Sequence, residues 1–120
     1  MSRLRVYTYK NCDTCRQAIK WLKARDRVFE ERPIREIPPS LAELRAMLRA
    51  CEGERRRLFN SSGVDYRALK LADKLPSMDD DEALDLLAGN GNLVKRPFVI
   101  GPGVSLVGFD ERSWSAVFDS

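Results

Sequence analysis

The chain has 120 residues, of which 43% are hydrophobic and 32% charged, with a net charge of +3; this is the composition of one globular domain with its own core. It contains no histidine, which excludes Ser-His and Cys-His nucleophilic pairs and most zinc catalysis. Three cysteines, an odd number, argue against a secreted disulfide framework. No apolar run reaches the length of a bilayer span and no signal-peptide core is visible, so a cytoplasmic setting without membrane attachment is expected. The charge is too mild to indicate direct nucleic-acid binding.

The first element is the run Leu4-Arg5-Val6-Tyr7-Thr8-Tyr9. Its residues alternate, with Leu4, Val6 and Thr8 on one face and Arg5, Tyr7 and Tyr9 on the other, the period of a strand. From Cys15 the period changes. Cys15, Ala18, Ile19 and Leu22 recur at helical spacing, which predicts a helix over about 12–24. The stretch Asn11-Cys12-Asp13-Thr14-Cys15-Arg16 therefore lies where a strand hands over to a helix. A C-x-x-C in that position reads as a redox pair. The unpaired amides and partial positive charge of the helix N-terminus favour a thiolate at Cys12, and Lys10 and Arg16 add positive charge nearby. Cys15, one turn further in, is placed to resolve a mixed disulfide on an exposed, nucleophilic Cys12. The alternatives are two incidental helix cysteines or half of a zinc site. The second fails within one chain, because Cys51 is the sole further cysteine and histidine is absent.

Val28 to Arg32 reads as a short strand stopped by Pro33, completing a β-α-β unit. Ser40 and Glu43 form a capping box for a helix whose apolar stripe is Leu41, Leu44, Met47 and Leu48, and which ends before Gly53. Cys51, near its end, reads as a packing residue. The basic run Glu54-Arg55-Arg56-Arg57 reads as a solvated face. Leu58-Phe59-Asn60-Ser61-Ser62-Gly63 ends in a turn able to present backbone amides. Residues 66–71 predict a short helix with Leu69 and Tyr66 inward. Pro76-Ser77 predicts the start of another, with Ser77 as N-cap and Ala83, Leu84, Leu87 and Ala88 buried, ended by Gly89. Asp79, Asp80, Asp81 and Glu82 suit the dipole at that helix start without a metal ion. Leu93 to Ile100 and Val104 to Val107 read as an antiparallel hairpin around Gly101-Pro102-Gly103. Pro97 cannot donate to a ladder and belongs at an edge or in a special geometry. Asp110 caps a last helix that turns Trp114 and Val117 inward.

These residues together resemble the arsenate reductase-like branch of the thioredoxin superfamily, which includes glutathione-dependent arsenate reductases and the Spx transcriptional regulators. The resemblance covers nearly the whole chain. It is carried by Asn11 to Arg16, Leu58 to Gly63, Lys95-Arg96-Pro97 and Val107-Gly108-Phe109. It implies an α/β, thioredoxin-like domain over 1–120 with a mixed sheet, ordered β-α-β, a helical insertion at about 40–90, then β-β-α. It also implies that Arg96 lines the active site as partner of a thiolate or bound anion, and that Pro97 is a cis-proline facing Cys12. A guanidinium suits that role because it holds oxyanions and carboxylates bidentately.

Two departures mark this chain. The arsenate reductases carry two further arginines around their oxyanion, at places matched here by Asn60 and Phe109, so one arginine remains of three. Those enzymes also act with a single cysteine, whereas Cys15 is present here as it is in the Spx-type redox switch. The expectation is thus a thiol-disulfide oxidoreductase in which Cys12, Cys15 and Arg96 are catalytic and Arg16, Asn60 and Pro97 contribute to binding. It would be monomeric, free of metal and bound cofactor, and supplied by glutathione or by a glutaredoxin- or thioredoxin-type partner. An Spx-like redox-sensing regulator that binds RNA polymerase, or a glutathione- and glutaredoxin-linked arsenate reductase, are the alternatives.

Overall fold

The computed structural model describes residues 4–119. Their elements are β1 (Leu4–Thr8), α1 (Asp13–Ala24), β2 (Phe29–Pro33), α2 (Leu41–Ala50), α3 (Val64–Ala68), α4 (Leu71–Lys74), α5 (Asp80–Gly89), β3 (Phe98–Gly101), β4 (Val104–Val107) and α6 (Glu111–Phe118). Short 3₁₀ turns span Arg55–Leu58, Leu75–Ser77 and Gly91–Leu93. The strands form one mixed sheet in the order β2-β1-β3-β4. β1 and β2 are parallel, with Thr8 opposite Pro33, and β3 is antiparallel to both β1 and β4.

The two faces of the sheet are both covered, and the alternation of β1 says how. Val6 and Val99 point to one side, where Ala18, Trp21 and Leu22 of α1 and Trp114 and Phe118 of α6 meet them. Tyr7 and Phe98 point to the other, into the core of the helical segment between β2 and β3, among Leu44, Met47, Leu84 and Leu87. A strand buried on both faces is what a crossover helix on one side and an inserted helical layer on the other require.

Polar ties fix the inserted layer to the sheet. Ser40 and Glu43 form the expected capping box, and the same Glu43 carboxylate accepts from the Tyr7 hydroxyl at 2.7 Å and from Arg5 at 2.8 Å. Burial alone would raise the Glu43 carboxyl, but hydrogen bonds from the Ser40 backbone, Tyr7 and Arg5 outweigh it and hold the group below its ordinary range. A cap residue thus also anchors α2 to β1.

Several sequence expectations change in the folded chain. The helix expected from Ser77 begins two residues later: Asp79 is its N-cap, in a capping box with Glu82, and Ser77 closes a 3₁₀ turn that carries Pro76. Leu93 to Lys95 are not part of β3. The Leu93 carbonyl accepts from Asn60 N, Lys95 N donates to the Leu58 carbonyl, and Val94 forms a lone bridge with Phe59. Those backbone groups are therefore spent on the Leu58–Asn60 segment and not on the sheet. Leu69 and Val117 are exposed, and Leu71 and Phe118 fill the inward positions. Leu41, expected in the α2 stripe, is also exposed. Arg55 leaves the solvated run, donating to Asp80 at 3.0 Å and to the Leu75 carbonyl at 2.8 Å. Cys51 is 3% exposed within the inserted core, a packing residue as expected.

The join between α5 and β3 leaves no room for a side chain. A Cβ on Gly91 would lie 1.8 Å from the carbonyl oxygen of Ile34, a backbone atom, whereas one on Gly89 would meet nothing within 4 Å. Gly91→Ala should therefore cost roughly 2–3 kcal/mol in a urea unfolding titration, and Gly89→Ala should hold or raise stability. A Gly91 variant as stable as the parent would contradict this close approach.

Candidate active site

The end of β1 turns sharply into α1. Cys12 N donates to the Tyr9 carbonyl at 3.1 Å, and Cys12 becomes the N-cap of the helix. Its Sγ takes the place that a serine or aspartate oxygen usually holds, accepting the Cys15 N–H at 3.2 Å. Cys12 is half-buried, Cys15 is 2% exposed, and all three cysteines are free thiols.

The two sulfurs have different surroundings. Cys12 opens onto a cleft of about 530 Å³ whose wall includes Tyr9, Arg35, Asn60, Asp65, Lys95 and Arg96. Cys15 is hydrogen-bonded to Cys12 but lines a separate cavity on the α1 side. Burial is the largest influence on its thiol, followed by the hydrogen bond with Cys12; a backbone hydrogen bond from Tyr9 and the charge of Arg96 oppose them, and the thiol is pushed up to about 12.

The cleft draws its cations from two separate segments, Arg35 after β2 and Lys95-Arg96 before β3. Arg96 donates to the Asn92 carbonyl at 3.1 Å, and Asn60 Nδ2 reaches the same oxygen at 3.5 Å, so one carbonyl orients both side chains. The Tyr9 ring sits between two guanidiniums, with Arg96 at 5.3 Å and Arg35 at 5.0 Å from its centroid. Arg35 also donates to the Tyr9 hydroxyl at 2.9 Å. Asp65 supplies the opposite charge and accepts from Asn90 at 3.1 Å and Asn92 at 3.2 Å.

Of the expected site residues, Cys12, Asn60 and Arg96 share this cleft. The Arg96–Pro97 peptide is cis, and Pro97 is buried, its carbonyl accepting from Gly108 N at 2.8 Å. Arg16 lies elsewhere: it donates to the Lys10 carbonyl and pairs with Asp13, and it lines the cavity of Cys15. Phe109 faces away from the cleft, edge-on to Trp114 at 4.8 Å in the α1–α6 core. Among the described residues no cluster of three His, Cys, Asp or Glu is placed to hold a metal ion, and no helix is long and apolar enough to cross a membrane.

Arg35, Tyr9 and Asp65 escaped the sequence reading. A signal for the first two exists: β1 and β2 run parallel, so the residues that follow each strand emerge at the same end of the sheet, where open α/β folds bind ligands. Asp65 carries no such signal, because the inserted layer alone brings it there.

A family model, the ArsC family, matches residues 7–117. The chain belongs to the ArsC family. Within it, an uncharacterised protein, YusI, of Bacillus subtilis is 43% identical over 108 residues, covering 90% of this chain and 92% of its own. A global transcriptional regulator Spx of Enterococcus faecalis is 32% identical, over 90% of this chain and 80% of its own. The crystal structure of an ArsC family related protein from Bacteroides fragilis superposes with a TM-score of 0.89 at 38% identity, covering 96% and 97% of the two chains. This ArsC protein thus has the family's thioredoxin-like α/β fold, with Cys12 and Cys15 side by side.

The cysteines should separate by reactivity. Burial and the hydrogen bond with Cys12 push the Cys15 thiol up and keep it protonated near neutral pH, and burial raises Cys51 as well. Iodoacetamide labelling of the folded protein followed by peptide mass spectrometry should modify Cys12 at least about tenfold faster than either. Equal rates at all three would contradict the site as described.

Proposed function

We propose that this ArsC protein is a dithiol oxidoreductase acting on disulfides. The observation that supports it most is the placement of the pair: Cys12 Sγ is capped by an amide and faces a cationic cleft, and the Cys15 thiol is held behind it. The Cys12 sulfur attacks one sulfur of a disulfide, the first substrate thiol leaves with the electron pair, and a mixed disulfide remains on Cys12. Cys15 then attacks Cys12, which releases the second thiol and leaves a Cys12–Cys15 disulfide. Reduction by glutathione, or by a glutaredoxin- or thioredoxin-type partner, returns both thiols.

Arg96 is positioned by Asn92 and Tyr9 to attract an anionic substrate and to stabilise sulfur-centred negative charge. Asn60 contributes a neutral donor to the same wall. Arsenate fits less well, because Phe109 packs into the core and Asn60 carries no charge. In an NADPH-linked glutaredoxin assay, arsenate should be turned over at background rate.

A second reading is supported by the 32% identity to the Enterococcus faecalis Spx regulator: the same pair would act as a redox switch on a protein that binds RNA polymerase. Polymerase capture that changes between the reduced and oxidised chain would favour it.

The test of the leading reading is disulfide turnover with a small dialkyl disulfide coupled to glutathione, glutathione reductase and NADPH. Cys12→Ser should fall to background, and Cys15→Ser should accumulate a mixed disulfide on Cys12 detectable by intact mass. Undiminished turnover by Cys12→Ser would refute the proposal.

A further inference from the structure

Four charged side chains line the Cys12 cleft: Arg35 after β2, Asp65 in α3, and Lys95 and Arg96 before β3. Elsewhere opposite charges meet, as Arg5 does with Glu30 and Glu43 and Arg55 with Asp80. In the cleft they do not. Among the described residues, none of the four lies within ion-pair distance of an opposite charge. Asp65 is half-buried and held by neutral amides: Asn90 and Asn92 both donate to its Oδ2, which leaves Oδ1 without a donor among the described residues. Asn92 also turns its carbonyl to Arg96 at 3.1 Å, so carboxylate and guanidinium stand on either side of one residue. Arg96 lies over one side of the Tyr9 ring, and Arg35 is fixed at the other by its 2.9 Å bond to the Tyr9 hydroxyl. The result is a connected row, Asp65, Asn92, Arg96, Tyr9 and Arg35, with one negative end and two positive positions. Charges free to pair gain by doing so; these are kept apart, and both signs are left to be satisfied from outside.

Resting on the dithiol reading, we propose that the substrate is the disulfide of an α-amino acid, with Asp65 receiving its ammonium group and Arg96 and Arg35 its carboxylates. In such a molecule one methylene separates each sulfur from the carbon that bears both charged groups. A half held between Asp65 and Arg96 therefore keeps its sulfur close to them, and Arg96 is near enough to the reacting sulfurs for its charge to act on Cys15. Arg35, beyond the Tyr9 ring, meets the carboxylate of the other half. The cleft, about 530 Å³, has the size of a small-molecule site. A disulfide with carboxylates alone meets repulsion at Asp65, and a neutral one leaves every charge of the row unsatisfied. The chemistry is that of the dithiol cycle. Cys12 bonds to one sulfur, the other leaves as the amino-acid thiolate with the electron pair, and Cys15 then displaces the second thiolate. The substrate gains the two electrons that the Cys12–Cys15 pair loses. Asp65 and Arg35 set specificity at the charged groups, away from the sulfurs.

The test follows oxidation of the reduced full chain by acid quenching and intact mass, at low concentrations of cystine, of dithiodipropionate (carboxylates only) and of neutral hydroxyethyl disulfide. Each rate is divided by that of free dithiothreitol with the same disulfide, which removes differences in leaving-group reactivity. On that scale the parent should prefer cystine to hydroxyethyl disulfide by at least about tenfold, the lower end of what a charge-assisted hydrogen bond supplies. Asp65→Asn, which keeps an oxygen for Asn90 and Asn92, should remove about tenfold of that preference and raise the relative rate with dithiodipropionate. Opposite changes with two probes are not what a merely structural role would give, since misfolding slows all three together. Arg35→Gln should lower cystine and dithiodipropionate alike by about threefold against the neutral probe, a smaller effect because Arg35 is exposed. A parent without a preference for cystine, or an Asp65→Asn chain that keeps it, would overturn this inference and leave the dithiol cycle intact. A parent that forms neither a mixed nor an internal disulfide with any of the three would remove both.

Discussion

The amide of Cys15 donates to the sulfur of Cys12 at 3.2 Å, and the remaining features of the site are arranged around that bond. It exists because β1 ends at Thr8 and α1 starts at Asp13, which leaves Cys12 as the cap and Cys15 in the first turn. The cap interaction and the helix dipole each contribute on the order of 1 kcal/mol. Their directional effect matters more. They hold one sulfur at the mouth of a cleft and turn the other into the space between α1 and the sheet. A one-residue shift of the helix start would break this arrangement, so the register of β1 against its two neighbours is part of the chemistry.

The asymmetry between the two thiols follows from the sheet's having helices on both faces. Cys12 looks toward the side of the inserted layer, where Asn60, Asp65 and Arg96 come from segments far apart in sequence. Cys15 looks toward α1, Thr8 and the edge of β2, where burial raises its thiol. Attack from one side and resolution from the other fit that division. The third cysteine is set apart from both: Cys51 ends α2 and is buried in the inserted core. The fold of this chain thus supplies two chemically distinct chambers that meet at the Cys12–Cys15 pair.

Much of this was legible because local chemistry sets it. The period change at Cys15, the Ser40–Glu43 box, the Asp110 cap and the Gly101–Val104 hairpin each involve residues within a few positions of one another. Where two local signals competed, the stronger won: Ser77 and Asp79 can both cap, but only Asp79 has a glutamate three residues on to complete a box. The run from Leu93 to Lys95 looks like strand because it is apolar, yet its backbone pairs with Leu58–Asn60, a non-local choice invisible to periodicity. Arg16 shows the same limit. Its proximity in sequence to Cys12 suggested a role in the cleft, but its bonds to Lys10 and Asp13 draw it to the other chamber. Asp65, which does line the cleft, arrives there through the packing of the inserted layer alone.

The central claim is that Cys12 and Cys15 interconvert between dithiol and disulfide as a unit. The most direct measurement is acid quenching, differential alkylation and mass spectrometry after equilibration across a series of glutathione redox buffers. The account predicts a two-electron transition joining Cys12 to Cys15, with a midpoint between roughly −180 and −270 mV, where dithiol oxidoreductases lie, and with Cys51 reduced throughout. A chain in which Cys12 takes up glutathione at every potential and never pairs with Cys15 would contradict it.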